Sequence, residues 1–186
     1  MDVAFADRFF ALMTLAALAG TIGIATLSLG GRFSPALARW NGEVQGVFGD
    51  WTYWLIFLIA LVSMLGSLYY SEIVGYPPCS LCWYQRIVMF PLVVIMGIAA
   101  AKRDISIRIY VLPLMVIGAL LAIYQYIISY VPDAEILGCS LDVSCTERYI
   151  WEFGFVDFPF MSFVGFSLMI ALMLWAGPGE PTGSEE

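Results

Sequence analysis

The alternation of apolar and polar segments divides the chain into five long apolar stretches. They cover residues 9–29, 51–70, 82–101, 109–131 and 158–176. A helix needs about 20 residues to cross the hydrocarbon core of a bilayer, so each stretch is long enough to span a membrane. Aromatic residues stand at both ends of the second stretch, which suits the two membrane interfaces. The pattern therefore predicts an all-α polytopic membrane protein with five spans in one compact bundle.

Composition supports this class and excludes others. The chain has 186 residues, of which 61% are hydrophobic and 12% charged, whereas an average soluble domain has about 25% charged residues. Its net charge of −7 argues against binding to nucleic acid. The absence of histidine excludes imidazole metal sites and Ser-His or Cys-His catalytic pairs. Four cysteines are left as the main candidates for chemistry.

The segments outside the spans are short. In the 30–50 connection, Ser34 and Pro35 form an N-cap followed by a proline at the first helical position, which is typical of a helix start. A short surface helix and an ordinary loop both fit this connection. The first span resembles a secretory signal, but its length and the acidic residues before it favour a membrane helix. Residues 177–186 are rich in Gly, Pro and Glu, which predicts a disordered tail.

Basic residues predict the orientation. Five of the eight lie in two short connections, with Arg32 and Arg39 in the first and Lys102, Arg103 and Arg108 in the other. Lysine and arginine are enriched in cytoplasmic loops, and five spans place these two connections on the same side. The connections that contain cysteines then lie on the extracytoplasmic side, where disulfides persist.

The first cysteine pair precedes the third span. Cys79 and Cys82 follow Pro77 and Pro78, and proline favours the first turn of a helix, so a helix should begin near Cys79. The positive end of that helix stabilises a thiolate. For this pair taken alone, two buried structural cysteines or a metal site are equally good interpretations.

The second pair, Cys139 and Cys145, lies in a long acidic loop. Four thiols on one face of a membrane can staple the structure, bind zinc or pass electrons. The C-x5-C spacing is wider than in usual zinc sites, and a disulfide within one helical turn is strained and labile. Electron transfer uses both pairs: the loop pair meets a soluble partner, and the membrane pair passes electrons to a lipid-soluble acceptor such as a quinone.

Arg86 is the candidate for binding that acceptor. It follows Cys82 by four residues, so the two side chains share a helix face. An ionisable group at membrane depth marks a functional site by default. The guanidinium can stabilise the Cys82 thiolate and a quinone oxygen. The alternative is an arginine that extends to the lipid headgroups.

These residues carry a resemblance to a known family. Cys79-Ser80-Leu81-Cys82-Trp83-Tyr84-Gln85-Arg86 is similar to the C-x-x-C-x-x-x-R motif of the DsbB family, membrane quinone reductases that reoxidise a secreted thioredoxin-fold dithiol oxidase. Cys145-Thr146-Glu147-Arg148, an aromatic-rich stretch and Pro159 resemble the end of the family's second external loop. The resemblance implies a four-helix bundle over residues 52–176. Residues 1–51 would add an N-terminal transmembrane helix and a cytoplasmic connection, and residues 177–186 an acidic cytoplasmic tail.

The resemblance also implies roles and a location. Cys139 would form the mixed disulfide with a DsbA-like partner, and Cys145 would react with Cys79. Cys82 and Arg86 would contact the quinone, either ubiquinone or menaquinone. The location would be the bacterial cytoplasmic membrane, with both cysteine pairs on the extracytoplasmic side.

Two features depart from the family pattern. The first span is additional, and only five residues separate the two loop cysteines, as in short-loop BdbC-like members. A relative of vitamin K epoxide reductase is one alternative, although in that family the loop pair precedes the C-x-x-C. A membrane protein with purely structural disulfides is the other.

Overall fold

A computed structural model describes residues 3–104, 106–134, 139 and 144–176 of the chain. Six α-helices form this part: α1 Val3–Gly30, α2 Pro35–Phe48, α3 Thr52–Leu68, α4 Ser80–Lys102, α5 Arg108–Tyr130 and α6 Phe158–Trp175. All except α2 are long and apolar enough to cross a membrane, α3 together with the π-helical turn Tyr69–Ile73 that continues it. The prediction of an all-α polytopic membrane protein is confirmed.

Capping residues determine where the helices begin next to the cysteines. Cys79 is the N-cap of α4, as the two preceding prolines predicted, and its sulfur accepts a hydrogen bond from the Cys82 amide at 3.4 Å. Asp157 is the N-cap of α6, where its Oδ1 accepts from the Phe160 amide at 2.9 Å. These side chains satisfy amides that a helix start leaves unpaired. Both helices therefore start at the face of the bundle that contains the cysteines.

The 30–50 connection contains a helix rather than an ordinary loop. Ser34 and Pro35 occupy the predicted N-cap and first helical positions of α2. Two polar side chains attach α2 to the end of α6: Asn41 accepts from the Trp175 indole N–H, and Gln45 donates to the Trp175 carbonyl, both at 2.7 Å. These bonds hold α2 at the end of the bundle opposite the cysteines.

The transmembrane helices pack around α4 and α6. Helix α4 lies between α3 and α5, and α6 packs against α3, α5 and α1. The core between them is filled by fully buried aliphatic, methionine and phenylalanine side chains, among them Ile56, Leu92, Met96, Met115, Phe166, Met169 and Met173. At one crossing a glycine, Gly118 of α5, lies directly against the Phe166 ring of α6. Small residues at helix crossings in membranes allow such close approach.

Some predictions lie outside the described residues. The tail 177–186, with its predicted disorder, is among them, as are residues 135–138 and 140–143 of the acidic loop. The division of the chain into residues 1–51, 52–176 and 177–186 stays a prediction.

Gly118→Ala should destabilise the bundle. A Cβ at this position would overlap the fully buried Phe166 ring, and overpacking typically costs about 1–3 kcal/mol. The measurement is the thermal unfolding midpoint in detergent. Gly23→Ala is the matched control, because a Cβ at Gly23 meets open space and alanine stabilises a helix by up to about 1 kcal/mol. Equal midpoints in the two variants would contradict this account of the crossing.

Candidate functional site

The membrane cysteine pair occupies the first turn of α4. Cys79 is buried, Cys82 is half-buried, and their sulfurs are free thiols 2.8 Å apart. The hydrogen bond with Cys82 and burial raise the pKa of the Cys79 thiol. A pair that has lost one proton therefore keeps the other on Cys79. The helix N-terminus favours the negative charge that then remains on the pair.

A glutamine of α5 completes the surroundings of this pair. Gln125 donates from Nε2 to the Cys79 sulfur at 3.3 Å and to the Cys82 sulfur at 3.5 Å. Its Oε1 accepts from Gln85 Nε2 at 2.7 Å, and both side chains are buried. Gln85 thereby directs the Gln125 amide so that its N–H groups face the sulfurs. Gln125 had no predicted role, although a polar side chain within an apolar span was a usable signal.

Arg86 is buried between α4 and α3. Its Nε donates to the Ser67 hydroxyl at 2.9 Å and its Nη2 to the Ser67 carbonyl at 3.0 Å. The third nitrogen, Nη1, has no hydrogen bond to any described residue. The side chain is 8% exposed, whereas an arginine that extends to lipid headgroups keeps its charged end in the polar region. Ser67 thus holds the guanidinium inside the bundle.

Arg86 lines a cavity of about 330 Å³. It lies between α1, α3, α4 and α6, and Cys82, Arg86 and Gln125 are among its lining residues. Apart from these polar groups and a few hydroxyls, the lining is mostly apolar. The predicted common face of Cys82 and Arg86 is therefore a shared cavity wall.

The loop pair packs against the membrane pair. Cys139 and Cys145 form a disulfide with Cα atoms 5.9 Å apart. Cys145 is 2% exposed and belongs to one buried cluster with Cys79, Leu81 and Ile128. In this disulfide form the loop pair has no thiolates for a zinc ion. The structure thus brings together the four cysteines that the sequence analysis had grouped by their chemistry.

A second, small cavity of about 30 Å³ lies between the two pairs. Cys79, Cys82 and Cys145 all line it, together with Tyr149 and Asp157. Of the two cavities, Cys79 lines only the small one, whereas Cys82 lines both. The membrane pair therefore has one sulfur facing the loop cysteines and one at the boundary with the large cavity.

Asp157 is a buried carboxyl that the sequence analysis did not single out. It is 2% exposed, and its Oδ2 has no hydrogen bond to a described residue. Burial raises its pKa, while the charge of Arg148 acts in the opposite direction. An aspartate directly before Phe158 and Pro159 predicts a helix start, but nothing in the sequence predicts that its side chain is buried.

Arg148 holds the end of the loop in place. Its guanidinium lies between the Tyr130 and Trp151 rings, 4.2 and 4.3 Å from their centroids, and Nη2 donates to the Ser129 carbonyl at 2.6 Å. Such cation–π contacts contribute about 0.5–2 kcal/mol each. The segment after Cys145 is thereby attached to the end of α5.

Two cysteine pairs lie at one end of a helical membrane bundle, beside an apolar cavity. This arrangement is typical of membrane proteins that carry out thiol–disulfide exchange. The family model described as "Disulfide bond formation protein DsbB" matches residues 49–176. The chain therefore belongs to the DsbB family, and the resemblance read from its motifs is confirmed.

Curated relatives agree with this assignment. The chain is 47% identical over 117 residues to disulfide bond formation protein C of Bacillus subtilis (strain 168), a match that covers 62% of the chain and 85% of the relative. It is 47% identical over 115 residues to probable disulfide formation protein C 2 of Bacillus anthracis, covering 62% and 82%. It is 44% identical over 131 residues to probable disulfide formation protein C of Halalkalibacterium halodurans, covering 69% and 90%. No solved structure matches the chain.

Gln125→Leu should slow the reaction of the membrane thiols with an alkylating reagent. The substitution removes an amide that donates to both sulfurs, and a hydrogen bond to a charged group contributes about 1.5–3 kcal/mol. We expect maleimide alkylation at constant pH to slow at least roughly tenfold. The rate is measured with both loop cysteines replaced by serine, so that only the membrane pair reacts. Gln45→Leu, the same change at the opposite end of the bundle, serves as the control, and equal rates in the two variants would refute the role of Gln125.

Proposed function

We propose that the protein is a thiol:quinone oxidoreductase. It reoxidises an extracytoplasmic thioredoxin-fold dithiol oxidase of the DsbA type and passes the electrons through its two cysteine pairs to a membrane quinone. One observation carries this proposal: Cys79 lines the small cavity with Cys145, whereas Cys82 also lines the large apolar cavity with Arg86.

The exchange begins at the loop pair. A thiolate of the partner attacks Cys139, the Cys139–Cys145 disulfide breaks, and Cys145 leaves as a thiol. The second thiol of the partner then releases Cys139. The partner is now a disulfide, and the loop pair has gained two electrons and two protons. The loop position of Cys139 supports its role as the cysteine that a soluble protein meets first.

The second exchange takes place between the pairs. Cys145 attacks Cys79 of an oxidised Cys79–Cys82 disulfide, and Cys82 leaves as a thiolate that the Gln125 amide stabilises. Cys139 then attacks Cys145, which restores the loop disulfide and releases Cys79. Two electrons have moved to the membrane pair. The common buried cluster of Cys79 and Cys145 supports this step.

The large cavity fits a quinone. A quinone is a flat, mostly apolar ring system with two carbonyl oxygens, and the cavity is a mostly apolar space with one cation at its wall. Arg86 would hold a carbonyl oxygen through Nη1, because Ser67 already accepts from Nε and Nη2, whereas Nη1 has no partner among the described residues. When bound, the quinone supplies a two-electron acceptor. Cys79 and Cys82 return to a disulfide as they give up two electrons and two protons.

The sidedness belongs to the same proposal. Cys79, Cys145 and Asp157 lie at one end of the bundle. Lys102, the last residue of α4, and Arg108, the first residue of α5, lie at the other end. Basic residues favour the cytoplasmic side. We therefore infer a protein of the bacterial cytoplasmic membrane whose two cysteine pairs both face the extracytoplasmic side.

The cysteine variants test the electron path. Purified protein is mixed with a reduced thioredoxin-fold oxidase and a soluble quinone, and quinone reduction is followed by absorbance. Cys79→Ser, Cys82→Ser and Cys139→Ser should each abolish the reaction, because each leaves a pair unable to form its disulfide. Ser80→Ala, a change within the same motif, should leave it intact. Full activity in all three cysteine variants would mean that the disulfides are structural.

The Arg86 variants test the quinone site. Arg86→Ala should raise the apparent quinone KM roughly tenfold to a hundredfold, because a charge-assisted hydrogen bond is worth about 1.5–3 kcal/mol. Arg86→Lys keeps the charge but loses the planar fork and should recover only part of the loss. Single-turnover oxidation of the partner by Cys139–Cys145 should stay at the parent rate. Arg32→Ala, an exposed arginine distant in the chain, is the control, and parent-like quinone kinetics in Arg86→Ala would leave the quinone site unassigned.

A further inference from the structure

Helix α1 contributes to the large cavity although it lies outside the shared family region. The family model begins at residue 49, whereas α1 covers Val3–Gly30. Four residues on successive turns of α1 nevertheless line the cavity: Phe10, Met13, Thr14 and Ala17. These side chains belong to the same wall as residues of α3 and α6, so the additional helix is part of the site.

Specific contacts hold α1 in this position. Along its length it packs against α6. At its extracytoplasmic end, Tyr70 donates from its hydroxyl to Asp7 Oδ1 at 2.8 Å. The Phe10 ring covers Gly66 of α3, where a Cβ would come within 3.0 Å of the ring, and its centroid is 5.7 Å from that of Tyr70. Helix α1 is therefore attached on both sides of the cavity, to α6 on one side and to α3 on the other.

The space between these two lines of contact is the cavity itself. Val62 and Ser63 of α3 and Ser162 and Gly165 of α6 line it from the bundle side. Without α1, these residues would form the floor of a groove open to lipid. We propose that α1 is the outer wall of the quinone pocket and limits the bulk of the quinone that the protein accepts, an inference that rests on the function proposed above.

The wall acts by shape rather than by hydrogen bonding. The hydroxyl of Thr14 donates to the Phe10 carbonyl of its own helix at 2.8 Å, so this bond already uses its only proton. The other three lining residues of α1 are apolar. Ala17 is the smallest of them, so a larger side chain there would project into the space that a quinone ring needs.

Ala17→Phe tests the wall, and Ala16→Phe is its matched control. Ala17 lines the cavity, whereas the neighbouring Ala16 is exposed on the outer side of α1 and does not. We expect Ala17→Phe to raise the apparent KM for a short-tailed naphthoquinone roughly tenfold over Ala16→Phe, because overpacking a filled site is costly. Ala17→Leu should give a smaller increase in the same direction. Equal KM values in Ala17→Phe and Ala16→Phe would overturn the proposal.

A binding measurement separates this proposal from its premises. Ligand binding raises the thermal midpoint of the protein that binds it, so the quinone should raise the midpoint of the parent and of Ala16→Phe but not that of Ala17→Phe. Single-turnover oxidation of the partner should stay at the parent rate in all variants, which shows that the bundle is folded. If the parent itself neither reduces nor binds quinone, the proposed function fails. If the parent does both and the quinone raises the midpoints of both phenylalanine variants equally, only the wall fails.

Discussion

The position of Cys79 at the start of α4 is the constraint on which the site depends. One sulfur atom caps the helix, lies 2.8 Å from the Cys82 sulfur and accepts a bond from Gln125 of α5. The same residue packs against Cys145 of the loop. The Cys79 side chain therefore contributes to the start of α4, to the packing of α4 on α5 and to the position of the loop. Because Pro77 and Pro78 precede it, the chain has little freedom to begin the helix elsewhere.

Hydrogen bonds between buried polar side chains fix the groups that surround Cys79 and Cys82. A buried guanidinium or amide in a membrane is costly unless its donors and acceptors are satisfied. Ser67 satisfies two nitrogens of Arg86, and Gln85 satisfies the oxygen of Gln125. The Gln125 N–H groups donate to the two sulfurs, and Arg86 Nη1 keeps no hydrogen bond to a described residue. Ordinary hydrogen-bond pairing thus fixes the orientation of the polar groups around the two sulfurs and the large cavity.

Local features of the fold were predictable from the sequence, and long-range ones were not. The third span was predicted over 82–101 and α4 covers Ser80–Lys102, because apolar length and proline capping act on neighbouring residues. The pairing of Gln85 with Gln125 joins residues 40 apart, and that of Asn41 with Trp175 joins residues 134 apart. Periodicity carries no information about such contacts. The sequence likewise marked the first span as additional but could not indicate that it packs on α6 and lines a cavity.

In the proposed function, the two cavities separate the reaction with a soluble partner from the reaction with a quinone. Tyr149 lines both cavities, and its ring stacks on Tyr76 with centroids 4.7 Å apart. Phe158 also lines both, and its ring meets Tyr70 edge-on at 4.8 Å. These rings line the end of the large cavity next to the cysteines with apolar surface. Under the function proposed above, a soluble partner would therefore meet the loop pair before it meets a quinone. Under the same proposal, the two electrons would cross that boundary at Cys82, because this cysteine lines both cavities.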